Sequence, residues 1–412
     1  MENNLTIKKG VFIMWQKDIN VNEIREIRVK TTAFLGVGAI EKINFIAEEL
    51  TKRGIDKVIV ISGKNAYKKT GAWVHVSKAL DNNKIGYVQY DKVTPNPEVT
   101  HVDEATKIAR DFGAKAVIAI GGGSPIDAGK IVAALLEYPN KNATELCDLS
   151  FPIEKAAPII AINLTHGTGT EVDRFSVVSI PEKNYKPAIA ADPLYPLYAI
   201  DDPELMASLP VNQTTYVSVD AVNHVVEACS TTVSNPFAIL LAQETVRLVA
   251  ENLPVVQKNP ENLEGRYFLT YAAMMAGTAF DNGLLHITHA LEHPLSGVKS
   301  DITHGLGLGI LLPSVVRHIY DAKKNTLFAV LKPILGNLKF ETATADDVAK
   351  AVKTWLVSVG IKETLSDLGF NESHLDELTR LAFDTPGLAG LLAIAPVKAD
   401  EKIVREIYEE SL

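Results

Sequence analysis

Hydrophobic positions fall into short unbroken runs in the first half of the chain and into long helical periods in the second. Val58-Ile59-Val60-Ile61 is a β-branched run closed by Ser62-Gly63, and Ala116-Val117-Ile118-Ala119-Ile120 is another that runs into glycine. Ile159-Ile160-Ala161-Ile162 is a third. Runs this short, with no polar alternation, suit strands covered on both faces. Between the first two, Val99, Val102, Ala105, Ile108, Ala109 and Phe112 recur at helical spacing and form one apolar face. Strand, helix and strand in this rhythm predict a parallel sheet with right-handed crossovers.

From about Asp202 the pattern changes. Val217–Thr232, Ala238–Leu253, Arg266–Ala279 and Leu306–Tyr320 read as long helices with few strand-like runs between them. Asp201-Asp202-Pro203 is the best boundary, dividing residues 1–202 from residues 203–412. There is no internal repeat and no low-complexity tract.

A chain of 412 residues exceeds what one core usually serves, which agrees with two domains. No apolar run reaches bilayer length, and Met1–Gly10 is polar without the pattern of a secretory leader, so no membrane association is expected. Val11–Trp15 is a short apolar patch in which Met14 offers an alternative start. The formal charge of −9, with scattered Lys and Arg, argues against a nucleic-acid partner. Only two cysteines, Cys147 and Cys229, are present, which fits a reducing cytoplasm. Cys229 reads as a small core residue.

Chemistry enters at Gly121-Gly122-Gly123-Ser124-Pro125-Ile126-Asp127. A buried strand meets three glycines, which let a backbone turn and approach a ligand closely. Ser124 is expected to cap a helix with Pro125 in its first position and Asp127 completing a capping box. Free N–H groups at such a helix start suit a pyrophosphate. The dinucleotide fingerprint G-x-G-x-x-G fails because Ile126 takes the place of its third glycine, and the triphosphate loop fails because Lys130 is followed by Ile131. A tight turn without a ligand therefore stays open as an equal alternative. A second loop, Thr165-His166-Gly167-Thr168-Gly169-Thr170-Glu171, follows the third strand and could wrap ribose or nicotinamide. Two such loops at strand ends strengthen each other, because ligands gather there.

The second half holds the sharper signal. Asp220 and His224 stand four residues apart on one helix face, His289 and His293 repeat that spacing, and His304 follows in a glycine-flanked loop. His286 adds an imidazole one turn before His289, and Glu227 and Glu292 lie nearby as polar face or supporting carboxylates. One carboxylate with three imidazoles suits Fe2+, Zn2+ or a neighbouring divalent transition metal.

With these blocks assembled, the sequence resembles the iron-containing (metal-dependent) alcohol dehydrogenase family. The resemblance rests on Phe34–Gly38, Thr94-Pro95-Asn96-Pro97, Gly121–Ser124 with Asp127 and Lys130, Asp220-Ala221 with His224, and His289 to Gly305. It loosens after Tyr320. It implies a fold like that of dehydroquinate synthase: an α/β, Rossmann-like dinucleotide domain followed by an all-helical metal-binding domain, with the active site in the cleft. It also implies metal ligands Asp220, His224, His289 and His304, and nucleotide contacts from Asn96, Gly121, Gly122, Gly123, Ser124, Asp127, Thr165, Thr168 and Lys186. His293 becomes the candidate proton carrier. The resemblance further suggests a dimer or higher homo-oligomer.

Two departures carry expectations of their own. The second glycine loop opens Asn163-Leu164-Thr165 where the family has Pro-Thr-Thr, so only Thr165 and Thr168 are carried over. Many NAD-using members have an acidic residue at the end of the early strand, where Gly63 stands here beside Lys64. Without that carboxylate a 2′-phosphate meets no repulsion, which predicts NADP over NAD. The expected reaction is hydride transfer between nicotinamide and a small alcohol or aldehyde. Glycerol-dehydrogenase-type polyol oxidation and a dehydroquinate-synthase-like lyase are the alternatives on the same fold, and a metal-binding sensor without catalysis is the more distant one.

Overall fold

The computed structural model describes residues 11–412, with side chains from Trp15 onward, so the expectations for Met1–Gly10 and the side chain of Met14 lie outside the described residues. The described residues contain eight strands: β1 (Thr32–Leu35), β2 (Lys57–Gly63), β3 (Gly86–Val93), β4 (Ala116–Gly121), β5 (Ile159–Asn163), β6 (Phe175–Val177), β7 (Ala188–Ala190) and β8 (Tyr198–Asp201). Six of them make one parallel sheet in the order β1-β8-β5-β4-β2-β3, and β6 and β7 form a small antiparallel pair. The three runs read as buried strands are β2, β4 and β5, side by side at the centre of the sheet.

Alternation along each central strand explains why every residue is apolar. Ile59 and Ile61 join one core with Val117 and Ile159, covered by α3 (Val99–Phe112) and α4 (Gly123–Glu137). Val58 and Val60 join the opposite core with Ile118, Ile120 and Ile160, covered by α1 (Lys42–Lys52) and α2 (Ala72–Asn82). Both faces of the sheet are therefore dry.

The last strand ends at Asp201, and the described elements beyond it are all helical. Asp202 holds this junction: its carboxylate accepts from Glu204 N–H at 3.0 Å, Gly38 N–H at 3.2 Å and Ile40 N–H at 3.0 Å. The long helices are α5 (Val211–Ala228), α6 (Pro236–Lys258), α7 (Leu263–Gly283), α8 (Ile287–Val298) and α9 (His304–Ile319), followed by shorter ones that include α10 (Leu388–Ala393). They enclose one apolar core of their own. α6 and α7 begin earlier than their apolar periods suggest because Asn235 and Asn262 cap them, accepting from Ala238 N–H and Gly265 N–H. No described helix is long and apolar enough to cross a membrane.

Residues Trp15–Lys30 precede the sheet yet lie on the helical part. Trp15 Nε1–H donates to Gln243 at 3.1 Å, Asp18 accepts from Thr326 Oγ1 at 2.7 Å, and the backbone of Arg28 exchanges two hydrogen bonds with the Asn282 amide.

Candidate metal centre and nucleotide cleft

β4 and β5 are neighbours with Gly121 in register with Asn163, so the glycine turn and the Thr165–Glu171 loop leave the sheet together. They meet in tight contact. A Cβ on Gly122 would stand 2.8 Å from Thr165 Cγ2, and one on Gly123 would stand 2.7 Å from Thr168 Cγ2. Any side chain at these two positions would push the loops apart.

The helix start differs from expectation. α4 begins at Gly123 with Gly122 in the cap position, two residues ahead of the expected Ser124 cap, and no side chain bonds its first N–H groups. Nor does Asp127 complete a capping box. It accepts from Thr170 Oγ1 at 2.6 Å and from Val177 N–H at 3.0 Å. The absence of side chains at Gly122 and Gly123 lets the chain pass close to Thr165 and Thr168, and the helix runs two residues further back with its N-terminus open to the cleft. Lys130 is fully buried on Thr170, Asp173 and Phe175, and its ammonium is not free for a phosphate.

Across the cleft, α5 presents Asp220 and His224, α8 presents His289 and His293, and α9 opens with His304. α9 can start there only because Gly305 lies against the backbone of α5, where a Cβ would fall 2.0 Å from the Tyr216 carbonyl oxygen. Ligand atoms of Asp220, His289 and His304 all lie within 4.8 Å of one another. His224 stands at the edge of the group: Nε2 is 3.5 Å from Asp220 Oδ1, and its ring stacks on His289 with centroids 4.7 Å apart.

The donor set fits a divalent ion. Asp220 Oδ1, His289 Nε2 and His224 Nδ1 are buried without a hydrogen-bond partner. Each of two candidate imidazoles is oriented from behind by a carboxylate. Glu227 takes the Nδ1 side of His289, and Glu292 takes the Nδ1 side of His304. This leaves the Nε2 atoms for the cluster, an arrangement that fixes both tautomer and ring angle. Burial pushes Asp220 and Glu227 upward, but the surrounding imidazoles outweigh it and hold both carboxyls at about 2. Burial lowers His224 to about 4, whereas for His289 the neighbouring Glu227 and Asp220 overcome burial and raise it to about 9. The ionised carboxyls and the neutral His224 are in the protonation states that accept a cation, whereas the raised His289 would have to give up a proton to do so.

Eleven of the fourteen residues predicted for the site line one cleft of about 920 Å³ between the two halves: Asn96, Gly123, Ser124, Asp127, Thr168, Lys186, Asp220, His224, His289, His293 and His304. Gly121, Gly122 and Thr165 stand just behind its wall. Two of the eleven turn toward the metal side. Asn96 Nδ2–H donates to the Ser300 carbonyl at 2.9 Å and so braces the loop leading to His304. The Lys186 ammonium is 3.3 Å from Glu292. His293 donates from Nδ1 to the Lys186 carbonyl at 2.8 Å, which aims Nε2 into the cleft, and burial holds the ring neutral well below the usual range. His286 is a neighbour, bonded to Ser230 at 2.9 Å. Most of the remaining wall is apolar, with Thr170 and Asp173 the polar exceptions, and its apolar part escaped the sequence reading: Phe175, Val177, Phe280, Leu285 and Leu391 line the cleft with the imidazoles.

Comparison with known proteins places the chain in a family. The sequence model of iron-containing alcohol dehydrogenases matches residues 31–203, and the model of the Fe-containing alcohol dehydrogenase C-terminal region matches residues 214–412. The chain belongs to the iron-containing alcohol dehydrogenase family. Its relatives in that family include the long-chain primary alcohol dehydrogenase AdhA of Thermoanaerobacter ethanolicus, 56% identical over 97% of this chain and 100% of that one. NADH-dependent butanol dehydrogenase B of Clostridium acetobutylicum is 31% identical over 94% of this chain and 99% of that one. Among solved structures, NADH-dependent butanol dehydrogenase A of Thermotoga maritima superposes with a TM-score of 0.86 at 29% identity, covering 94% of this chain and 98% of that one. This family member is an alcohol dehydrogenase, and membership implies a divalent metal. Neither the polyol-oxidising nor the lyase alternative is favoured.

Proposed function

We propose that this enzyme interconverts primary alcohols bearing an alkyl chain and their aldehydes, with a divalent metal and with NADPH in preference to NADH. The observation that carries the reading is the approach of two unpartnered atoms, Asp220 Oδ1 and His289 Nε2, to each other and to His304, with an uncapped helix start across one cleft. Asp220, His224, His289 and His304 would hold Fe2+, Zn2+ or a similar ion. Gly121, Gly122, Gly123, Ser124, Asp127, Thr165 and Thr168 would border the nucleotide, with Asn96 and Lys186 approaching from the metal side. When bound, the ion supplies Lewis acidity to the hydroxyl oxygen and the nicotinamide supplies or accepts hydride.

The chain's own residues do the rest. His293 Nε2 takes the hydroxyl proton and passes it outward, since Nδ1 is committed to the Lys186 carbonyl. Glu227 and Glu292 keep His289 and His304 in the ligating tautomer. Phe280 stacks on His224 at 4.7 Å and Phe175 lies 5.3 Å from Phe280, excluding water on the substrate side. That wall favours an alkyl chain over a polyol, in agreement with the name of the long-chain relative.

The cofactor preference rests on Gly63. It ends β2 beside the exposed Lys64, where a ribose-binding carboxylate would otherwise repel a 2′-phosphate. Two relatives are named for NADH, so this preference is a property proposed for this chain. A division into domains 1–202 and 203–412, a cytoplasmic location and a homo-oligomer complete the reading. The two unpaired, buried thiols support the location. For assembly, Val21, Ile24, Ile27 and Val29 are 87%, 100%, 57% and 70% exposed on a segment ahead of the edge strand β1.

The deciding experiment is anaerobic purification, loading with Fe2+ or Zn2+, and nicotinamide absorbance with aldehydes of increasing chain length and with glycerol as the polyol control. Metal-dependent turnover that is faster with NADPH and rises with chain length is expected. Faster use of NADH overturns the cofactor preference, and a preference for glycerol overturns the substrate reading.

A further inference from the structure

His166 sits in the nucleotide-side loop and has no part in the chemistry described above. The loop is a wedge between the two halves. On one side Thr165 and Thr168 fill the space over Gly122 and Gly123. On the other, Gly167 abuts α5, where a Cβ would lie 2.6 Å from Val217 Cβ. Gly169, in the left-handed region at φ +65°, abuts α7, where a Cβ would lie 2.4 Å from Gly277 Cα.

His166 is the polar tie of this wedge. Its Nε2 accepts from Arg266 Nη1 at 2.9 Å, and its Nδ1 faces Ser218 Oγ at 3.4 Å. Arg266 has only donors, so Nε2 must be the unprotonated nitrogen and the proton sits on Nδ1, which donates to Ser218. Burial and Arg266 together hold the ring neutral, lowered to about 3. Arg266 is itself fully buried and has no carboxylate in ion-pair range among the described residues. Its other N–H groups go to the Pro260 carbonyl at 3.0 Å, Thr214 Oγ1 at 2.8 Å and the Leu209 carbonyl at 3.1 Å. A guanidinium solvated only by neutral acceptors cannot lose one without leaving a buried N–H unsatisfied. Ser218 lies two residues before Asp220 on the same helix, so the tie runs from the nucleotide loop to the helix carrying metal ligands.

We propose that His166 is a positioning residue for the nucleotide: a neutral imidazole that registers the Thr165–Thr170 loop against α5 and so fixes the spacing between nucleotide and metal. The proposal rests on the reading of that loop as the nucleotide's neighbour. The test compares the intact metal-loaded enzyme with His166→Ala and His166→Gln, measuring NADPH and NADH binding by calorimetry, KM and kcat for nucleotide and aldehyde, metal content and thermal melting. His166→Ala should weaken nucleotide binding and raise its KM about tenfold or more, with metal content kept. His166→Gln should return both to within about threefold, because its amide oxygen accepts from Arg266 and its NH2 donates to Ser218. Unchanged nucleotide affinity in His166→Ala overturns the proposal. So does equal loss in both variants, which would mark a merely structural residue, or loss of metal with nucleotide binding kept. A wild-type enzyme that binds neither nucleotide removes the underlying reading instead.

Discussion

Replacing Glu227 by Gln tests whether the metal centre depends on groups behind the ligands. The Glu227 carboxylate is fully buried and serves two sides at once. One oxygen takes the Nδ1 side of His289, and the other accepts Thr288 N–H at 2.6 Å and His286 N–H at 3.2 Å. A carboxylate can accept everywhere, whereas an amide offers one acceptor and one donor end. If the amide oxygen stays on the two backbone N–H groups, its NH2 faces His289 and forces the proton onto Nε2, the atom aimed at the metal. If the amide turns over, its NH2 collides with two backbone donors. Either outcome removes a ligand or costs a buried hydrogen bond. The expected loss is about 10- to 100-fold in metal affinity, equivalent to about 1.4–2.7 kcal/mol. The assay is competition with a chelator of known affinity, read as bound metal per chain, with thermal melting of the metal-free protein as the control for folding. Metal affinity within about threefold of wild type would refute the tautomer argument.

Other perturbations follow from the same geometry. His293→Ala should lower kcat by about 100-fold or more while metal content stays intact, and full retained activity would remove His293 from proton transfer. Leu391→Trp should narrow the apolar wall and shift preference to shorter aldehydes, each excluded methylene lowering kcat/KM by about tenfold; an unchanged chain-length profile would show that Leu391 does not bound the alkyl site. Placing charge on the exposed segment with Ile24→Lys and Ile27→Lys should shift sedimentation toward the monomer, and an unaltered oligomer would locate the interface elsewhere.

Longer strands with two dry faces were legible from sequence, and the polar edge strand and the short inner one were not. β2, β4 and β5 are unbroken apolar runs because α1 to α4 cover both faces. β3 carries Gln89, Asp91 and Lys92 at the sheet's edge, and β8 spans only four residues, so neither stood out from the surrounding loops. The ligand candidates were visible because i, i+4 spacing survives in one dimension. What brings them together is not: Gly305 against Tyr216 is a contact between helices, with no local signature in the chain. The Ser124 cap failed for a similar reason, since the steric fit of Gly122 and Gly123 against Thr165 and Thr168 decides where the helix starts. Phe280, Leu285 and Leu391 have the periodicity of ordinary core residues, and only the cleft distinguishes them.

The docking of Trp15–Lys30 on the helical part bears on the order of synthesis. Trp15, Asp18 and Arg28 dock on Gln243, Thr326 and Asn282, partners 228, 308 and 254 residues further along. Residues Trp15–Lys30 are synthesised before the sheet yet must wait for helices made well after it before they find their contacts. Until then Val21, Ile24, Ile27 and Val29 belong to a loose apolar tail on an otherwise finished sheet. Contacts of such long separation close late and slowly. A nascent or truncated chain ending before Gln243 would therefore carry a complete sheet with this segment unplaced, the form in which this protein is most exposed to wrong partners.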